Sequence, residues 1–275
     1  MTESHLYRQV RRKAGTVLRR LGLRPAPAPK PAVASRPSPA AKPAAPVKST
    51  PRHPLPPKGL RMGGAHFIDD EAFIATAAND VRRLEDLAGL TTSSRLLDWG
   101  CGAGRLAIGV REVFGRVQDY HGVDVQKHLI EWADKRLTAP GFRFTWVDLA
   151  NARYNPDGSP ERTIGAEPAS LDVFYAYSVY SHLLADDTEA YLGLLSSALA
   201  PGGRAFITLF VEDGVPDCEE NPEGYGPLEW VGPLHCVRYD RAYLEGLVAA
   251  AGLDVVLHEH GQETDGQSLY ILGKP

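Results

Sequence analysis

No run of apolar residues in this 275-residue chain approaches the roughly 18 that a membrane-spanning helix needs. Cysteine is scarce: Cys101, Cys218 and Cys236 are the only three, and no two share a C-x-x-C spacing. That pattern argues for reduced thiols and against a disulfide framework. His235 and Cys236 are adjacent and could form half of a metal site, but few further ligands lie near them. Buried or loop residues are the preferred reading, and no metal is expected. Acids are nearly missing from one region. Residues 1–61 hold 14 of the 30 Lys and Arg and a single acid, Glu3, for a net charge of +13. The remainder, with 16 basic and 33 acidic residues, is left at -17. An acidic body of that size argues against a nucleic-acid footprint on the globular part.

The basic region divides in two. Over residues 5–23, Leu6, Val10, Val17 and Leu21 recur near helical spacing, with Arg8, Arg11, Arg12, Lys13, Arg19 and Arg20 between them. Residues 1–23 are therefore expected to form a basic amphipathic helix. Four uses stay open: contact with an anionic membrane surface, docking to a partner, transit targeting, or a plain solvated tail. Residues 24–59 read as a linker, since twelve of the 22 prolines lie between Arg24 and Lys58 among Ala and Lys. Such a composition cannot bury a core and should remain an extended, disordered spacer. The folded domain is expected over 60–275.

That domain is organised around Ser94 to Ile108. Leu96 and Leu97 end an apolar strand, Asp98 closes it, and Gly100, Gly102 and Gly104 form a turn nearly free of side chains. Leu106 and Val110 then open a helical pattern. Glycines so spaced let backbone approach a ligand closely and leave the first helical N–H groups free. A dinucleotide fingerprint would place a small residue where Arg105 stands, and Asp98 would repel a pyrophosphate. An acid at Asp98 suits an ammonium group instead.

Two further strands end in acids. Tyr120 to Asp124 places a carboxylate 20 residues beyond Gly104, where two oxygens match the cis-diol of a ribose. Phe142 to Val147 is closed by Asp148-Leu149. A single strand-end Asp is often only a helix cap, but three in register with a G-x-G-x-G loop are specific. This set resembles that of the class I S-adenosylmethionine-dependent methyltransferases, over roughly residues 60–275. The resemblance implies S-adenosylmethionine as cofactor, with Asp98, Gly100, Gly102 and Gly104 at its amino-acid end and Asp124 on its ribose. It also implies Asp148 on the adenine amino group, the Leu149 backbone N–H on a ring nitrogen, and Tyr177 in the donor site. Gly63 to Phe67 is similar to the family's segment that closes over the donor; a simple hinge is the other reading.

The resemblance also sets the fold: a Rossmann-like α/β domain with a seven-stranded, mostly parallel sheet, helices on both faces and an antiparallel last strand. Helices are expected over Asp70 to Leu90, with Gly89 as its stop, Leu106 onward, Leu129 to Leu137, Thr188 to Leu199 and Tyr239 to Ala251. Asn151 to Glu167, with its Asn155-Pro156-Asp157-Gly158 turn, reads as a loop. Leu171 to Tyr177 is an unbroken apolar strand. Asp186 and Glu189 fit a capping box better than a magnesium site. Pro201-Gly202-Gly203 reads as a hairpin before a fifth strand over Ala205 to Val211. Glu212 to Arg238 reads as a long irregular insertion shaping the acceptor site, and Leu253 to His258 with Ser268 to Leu272 as a closing antiparallel pair.

After the fourth strand, Tyr177-Ser178-Val179-Tyr180 stands where amino-group methyltransferases of the family carry Asn/Asp-Pro-Pro-Tyr/Phe. That points to O-methylation of a small-molecule, sugar or glycan acceptor. His182 is the first choice of general base and His235 the second. The rival is a methyltransferase-like, non-catalytic binding subunit tethered by its basic N-terminus. A cytoplasmic location is expected, with peripheral contact to the inner membrane surface through residues 1–23 as an added expectation.

Overall fold

The computed structural model describes residues 52–275. The expected basic helix over 1–23, and the expected linker from 24 to 51, lie outside the described residues. No described helix is long and apolar enough to cross a membrane.

After two short 3-10 turns, Lys58–Leu60 and Ala65–Ile68, helix α1 spans Asp70–Ala88. Asp69 caps it by accepting from the Ala72 N–H at 2.8 Å, and Gly89 ends it in the left-handed region, the stop read from the sequence. There follow β1 (Arg95–Trp99), α2 (Arg105–Val113), β2 (Asp119–Asp124), α3 (Lys127–Leu137) and β3 (Phe142–Trp146). After the predicted loop come β4 (Leu171–Ala176), α4 (Ala185–Ala198) and β5 (Leu199–Glu212). The chain closes with β6 (Cys218–Glu220), β7 (Val237–Asp240), α5 (Arg241–Ala250), β8 (Asp254–Glu259) and β9 (Ser268–Gly273).

The main sheet runs β3-β2-β1-β4-β5-β9-β8, and β9 is antiparallel to both of its neighbours. Side-chain alternation along its strands divides the core. Leu96, Phe206 and Ile271 point to the face covered by α1, α2 and α3, while Leu97, Ile207 and Tyr270 point to the face covered by α4 and α5. Helices α1 and α2 approach closely because Gly109 has no side chain. A Cβ there would lie 2.3 Å from the Ala77 carbonyl oxygen.

Four expectations need correction. The insertion after β5 is not wholly irregular: β6 and β7 pair antiparallel, and β7 adds in parallel to the end of β5 at Phe210–Glu212. The nine strands thus include two more than read from the sequence. Pro201-Gly202-Gly203 is a bulge inside β5 rather than a hairpin before it, since Leu199 and Arg204 pair with Leu171 and Val173. Helix α4 begins one turn early, with Leu184 at its N-cap, so Asp186 and Glu189 form no capping box. Asp187 instead reaches Arg162 at 2.8 Å, and Thr188 is buried against the Tyr239 hydroxyl. Tyr239 belongs to β7, and Asp240 caps α5 by accepting from the Tyr243 N–H.

Strand order reverses direction at β1, between β2 and β4. In an open α/β sheet the crevice beyond the strand ends at that point receives ligands.

Candidate active site

A cavity of about 740 Å³ opens at the carboxyl ends of β1, β2, β4 and β5. Its first end is built from strand termini. The Gly100 and Cys101 N–H groups both donate to the Val123 carbonyl, at 2.8 and 3.0 Å, which ties the glycine turn to β2. Gly100, Gly102 and Gly104 all have positive φ, at 80°, 53° and 80°, where a Cβ is strained. At Gly100 it would also meet Val179 Cγ2 at 2.4 Å.

Asp124 is buried and holds this turn. Oδ2 accepts from the Gly102 N–H at 2.8 Å and Oδ1 from the Gln126 N–H at 2.7 Å. The Val125 N–H also faces the carboxylate, which keeps accepting capacity for a guest. Burial raises its pKa, opposed by those amides. Asp98 is buried too and accepts from the Tyr120 hydroxyl. Burial pushes its pKa up to about 7, against the pull of the Tyr120 hydrogen bond and the Arg105 charge. A cationic guest at this carboxylate would favour its ionised form.

Tyr177 lines the same end, stacked on Tyr175, with its hydroxyl on Thr264 Oγ1 at 2.9 Å and on Glu263 Oε2 at 3.2 Å. Arg105 stands beside it. Its Nη2 is held by Asp80 at 2.6 Å and by the Tyr175 hydroxyl at 3.2 Å, the guanidinium lies near the Phe67 and Tyr177 rings, and Nη1 is buried without a hydrogen-bond partner. The sequence reading used Arg105 only to set aside a dinucleotide and missed its place in this wall.

The predicted adenine contacts are arranged differently. Asp148 is exposed and does not line the cavity; its Oδ1 accepts from Asn155 Nδ2 at 3.0 Å. The Leu149 N–H is taken by the Val147 carbonyl at 3.0 Å. What this part of the wall presents is apolar: Val125, Val147 and the Leu149 side chain.

The second end is built from loops. His182 and His235, far apart in sequence, line it together with Tyr154, Phe210, Leu228 and Trp230. The loops are stitched to one another. Asn151 donates to the His182 carbonyl at 3.2 Å, and Arg153 reaches the Val231 and Pro233 carbonyls at 3.4 and 3.5 Å. His182 Nδ1 is 2.7 Å from the Leu234 carbonyl, and its Nε2 is 3.2 Å from the Tyr154 hydroxyl. Burial lowers its pKa to about 4. With both ring nitrogens engaged, His182 offers no free atom to a guest, and the direct general-base role read from the sequence is not available in this arrangement. His235 accepts from the Val231 N–H at 2.9 Å through Nδ1 and sets its ring edge against Trp230; burial lowers its pKa as well.

Beneath both ends runs a closed ring of hydrogen bonds. The Ser178 N–H donates to Thr208 Oγ1 (2.7 Å), Thr208 to Gln267 Oε1 (2.9 Å), and Gln267 Nε2 back to Ser178 Oγ (2.8 Å). Ser178 is held at φ 56°, unusual for a residue with a Cβ. Among the described residues no group of three His, Cys, Asp or Glu side chains could hold a metal ion.

Sheet order, glycine turn and strand-end acids together define the site of a class I S-adenosylmethionine-dependent methyltransferase. Residues 69–258 match the model of a family described as a methyltransferase domain, and the chain belongs to that family. It is 30% identical over 127 residues to the aklanonic acid methyltransferase DauC of Streptomyces sp. (strain C5), a match covering 46% of this chain and 53% of that protein. The chain thus spans about half the length of this curated relative. Two solved structures share the fold. Phosphoethanolamine N-methyltransferase 2 of Haemonchus contortus, in complex with S-adenosyl-L-methionine, is 18% identical with a TM-score of 0.52, over 72% of this chain and 52% of that one. The [4+2]-cyclase SpnF is 17% identical with a TM-score of 0.52, over 72% and 80%.

Proposed function

We propose that this chain transfers the methyl group of S-adenosylmethionine to a hydroxyl of a small, flat, largely apolar acceptor. The observation that carries this reading is the division of one cavity into a strand-borne end and an aromatic, loop-borne end. The strand-borne end fits the donor. The glycine cradle leaves no room for a Cβ at Gly100, and Asp124, beside that cradle, keeps accepting capacity for ribose hydroxyls. Asp98 suits the donor's ammonium, and Val125, Val147 and Leu149 give apolar faces to its adenine. When bound, the donor supplies an already activated methyl group, so the protein's task is alignment and exclusion of water.

Phe210, Leu228 and Trp230 at the other end support an aromatic acceptor over an extended glycan, whose many hydroxyls would be left unpaired there. The partial match to a methyltransferase named for aklanonic acid supports a small-molecule acceptor in the same way.

The test has two stages on the full chain. Calorimetry is expected to show binding of S-adenosylhomocysteine and none of NAD; preference for NAD would sink the reading. Labelled S-adenosylmethionine is then expected to label hydroxylated aromatic small molecules. Donor binding with no transfer to any of them would favour the binding-subunit alternative. For residues 1–23, the basic and apolar pattern supports contact with anionic lipid. Co-sedimentation with anionic vesicles that weakens with salt and is lost on deleting those residues is the expected outcome.

A further inference from the structure

The partners of His182 fix the polarity of a whole line of hydrogen bonds. A backbone carbonyl only accepts, so Nδ1, facing Leu234 O at 2.7 Å, carries the ring proton. Burial, with the nearby Arg153 charge, keeps the imidazole neutral at pH 7. Nε2 therefore carries a lone pair, and the Tyr154 hydroxyl 3.2 Å away must donate to it. No other hydrogen bond among the described residues reaches Tyr154 Oη, whose lone pairs remain for a guest, and Tyr154 lines the cavity. The loop carrying Tyr154 is anchored on both sides. Asn151 Oδ1 accepts from the Arg153 and Tyr154 N–H groups at 3.0 and 3.1 Å, while Asn151 Nδ2 and Arg153 tie it to the neighbouring loops. Carbonyl, imidazole and phenol thus present to the cavity an acceptor of hydrogen bonds.

We propose that Tyr154 is the catalytic residue that meets the methyl acceptor, taking the hydrogen bond of a neutral hydroxyl, and that His182 acts behind it as a positioning residue and proton sink. This rests on the function proposed above. As the O–H bond breaks, its electron pair stays on the acceptor oxygen, where the new bond to carbon forms. The proton passes to Tyr154 Oη, the Tyr154 proton passes to His182 Nε2, and the imidazolium keeps its Nδ1–H on Leu234 O until the proton is lost to solvent. A weak base suffices, because an attacking hydroxyl becomes strongly acidic as its oxygen gains a third bond. A carboxylate acceptor has no proton to give and would face the lone pairs of Tyr154, so the relay selects hydroxyls over carboxylates.

Two measurements on the full chain test this. With nitrogen-15 histidine and His182→Gln to assign the signals, His182 is expected to be neutral at pH 7, protonated on Nδ1, with Nε2 in the range of a hydrogen-bonded acceptor. Tyr154→Phe should leave the proton on Nδ1 and move Nε2 towards the free range. A wild-type His182 protonated on Nε2, or no response to Tyr154→Phe, overturns the proposal. With labelled S-adenosylmethionine and 2-naphthol as probe, Tyr154→Phe should lower turnover at pH 7 by about 100-fold or more. Donor affinity should stay within about twofold, and the residual rate should climb with pH as the probe loses its own proton. Full turnover in the variant, or methylation of 2-naphthoate as fast as 2-naphthol, overturns the proposal. Failure of the intact chain to methylate either probe would count against the proposed function, and the nitrogen signals would still decide the relay.

Discussion

The end of the cavity proposed for the donor hangs on strand termini, whereas the end proposed for the acceptor hangs on loops that hold one another. Asp98 and Asp124 are placed by β1 and β2, whose neighbours fix their register on both sides. Tyr154, His182 and Trp230 come from segments with almost no regular structure, located by side-chain bonds: Tyr154 to the His182 ring, His182 and Trp230 to backbone carbonyls. The difference teaches where tolerance lies. The first end is rigid because the sheet is; the second is rigid only while its stitching is complete.

The sharpest way to separate the ends is Asp124→Ala. It would remove the two proposed ribose contacts and free the Gly102 and Gln126 amides, and should weaken S-adenosylhomocysteine binding by about 2–3 kcal/mol, roughly 30- to 150-fold. Calorimetry measures this, and Trp230 fluorescence, isolated by replacing the other tryptophans, should not change. If Trp230 responds as strongly, the two ends are not independent.

Gly100→Ala strikes the point where they touch. The Cβ would meet Val179 at 2.4 Å at a φ of 80°, a strain of about 1–3 kcal/mol, which should lower the melting temperature by roughly 3–10 °C. Adding Val179→Ala should return part of that loss, because it relieves the contact and leaves the φ unchanged. No recovery would show the backbone cost to be the whole effect.

The ends should also respond oppositely to pH. Asp98, raised to about 7, holds a proton that the unfolded chain releases near 3.8, so its contribution to stability is lost as pH rises through that window. His182, lowered to about 4, stays neutral where the unfolded chain protonates below 6.5, so its contribution is lost as pH falls through that window. Each slope is at most about 1.4 kcal/mol per pH unit. In denaturant titrations from pH 4 to 7, Asp98→Asn should tilt stability upward with pH relative to wild type, and His182→Gln should tilt it downward. Parallel curves would refute the assigned shifts.

The smallest effect is expected at Asp148→Ala. Since Asp148 faces Asn155 outside the cavity, donor affinity should change less than about twofold, within the usual surface-substitution range. A loss approaching that of Asp124→Ala would return Asp148 to the donor site.

That contrast also shows what could be read from the chain. Period and punctuation gave away β1, β2, the glycine turn and α1 with its Gly89 stop, because each obeys a local rule. Asp148 obeys the same rule, yet its side chain lies outside the cavity. Its carboxylate is drawn to Asn155 by a turn seven residues later, a contact that no strand pattern encodes. The β6–β7 pair was invisible because strands of three and four residues carry no measurable period. Tyr154 sits in a loop with no pattern at all. Its importance appears only when folding brings it to His182, 28 residues on.

The ring of Ser178, Thr208 and Gln267 has a consequence for how such a site can diversify. Thr208 takes a bond from the Ser178 N–H and gives one to Gln267 Oε1, so valine at 208 would leave both of those groups unanswered. Single-step loss of the Thr208 hydroxyl is therefore costly. The loops above can exchange residues one at a time and so explore new acceptors. The floor can change only by coordinated replacement, which makes it the slow clock of this molecule and the loops its fast one.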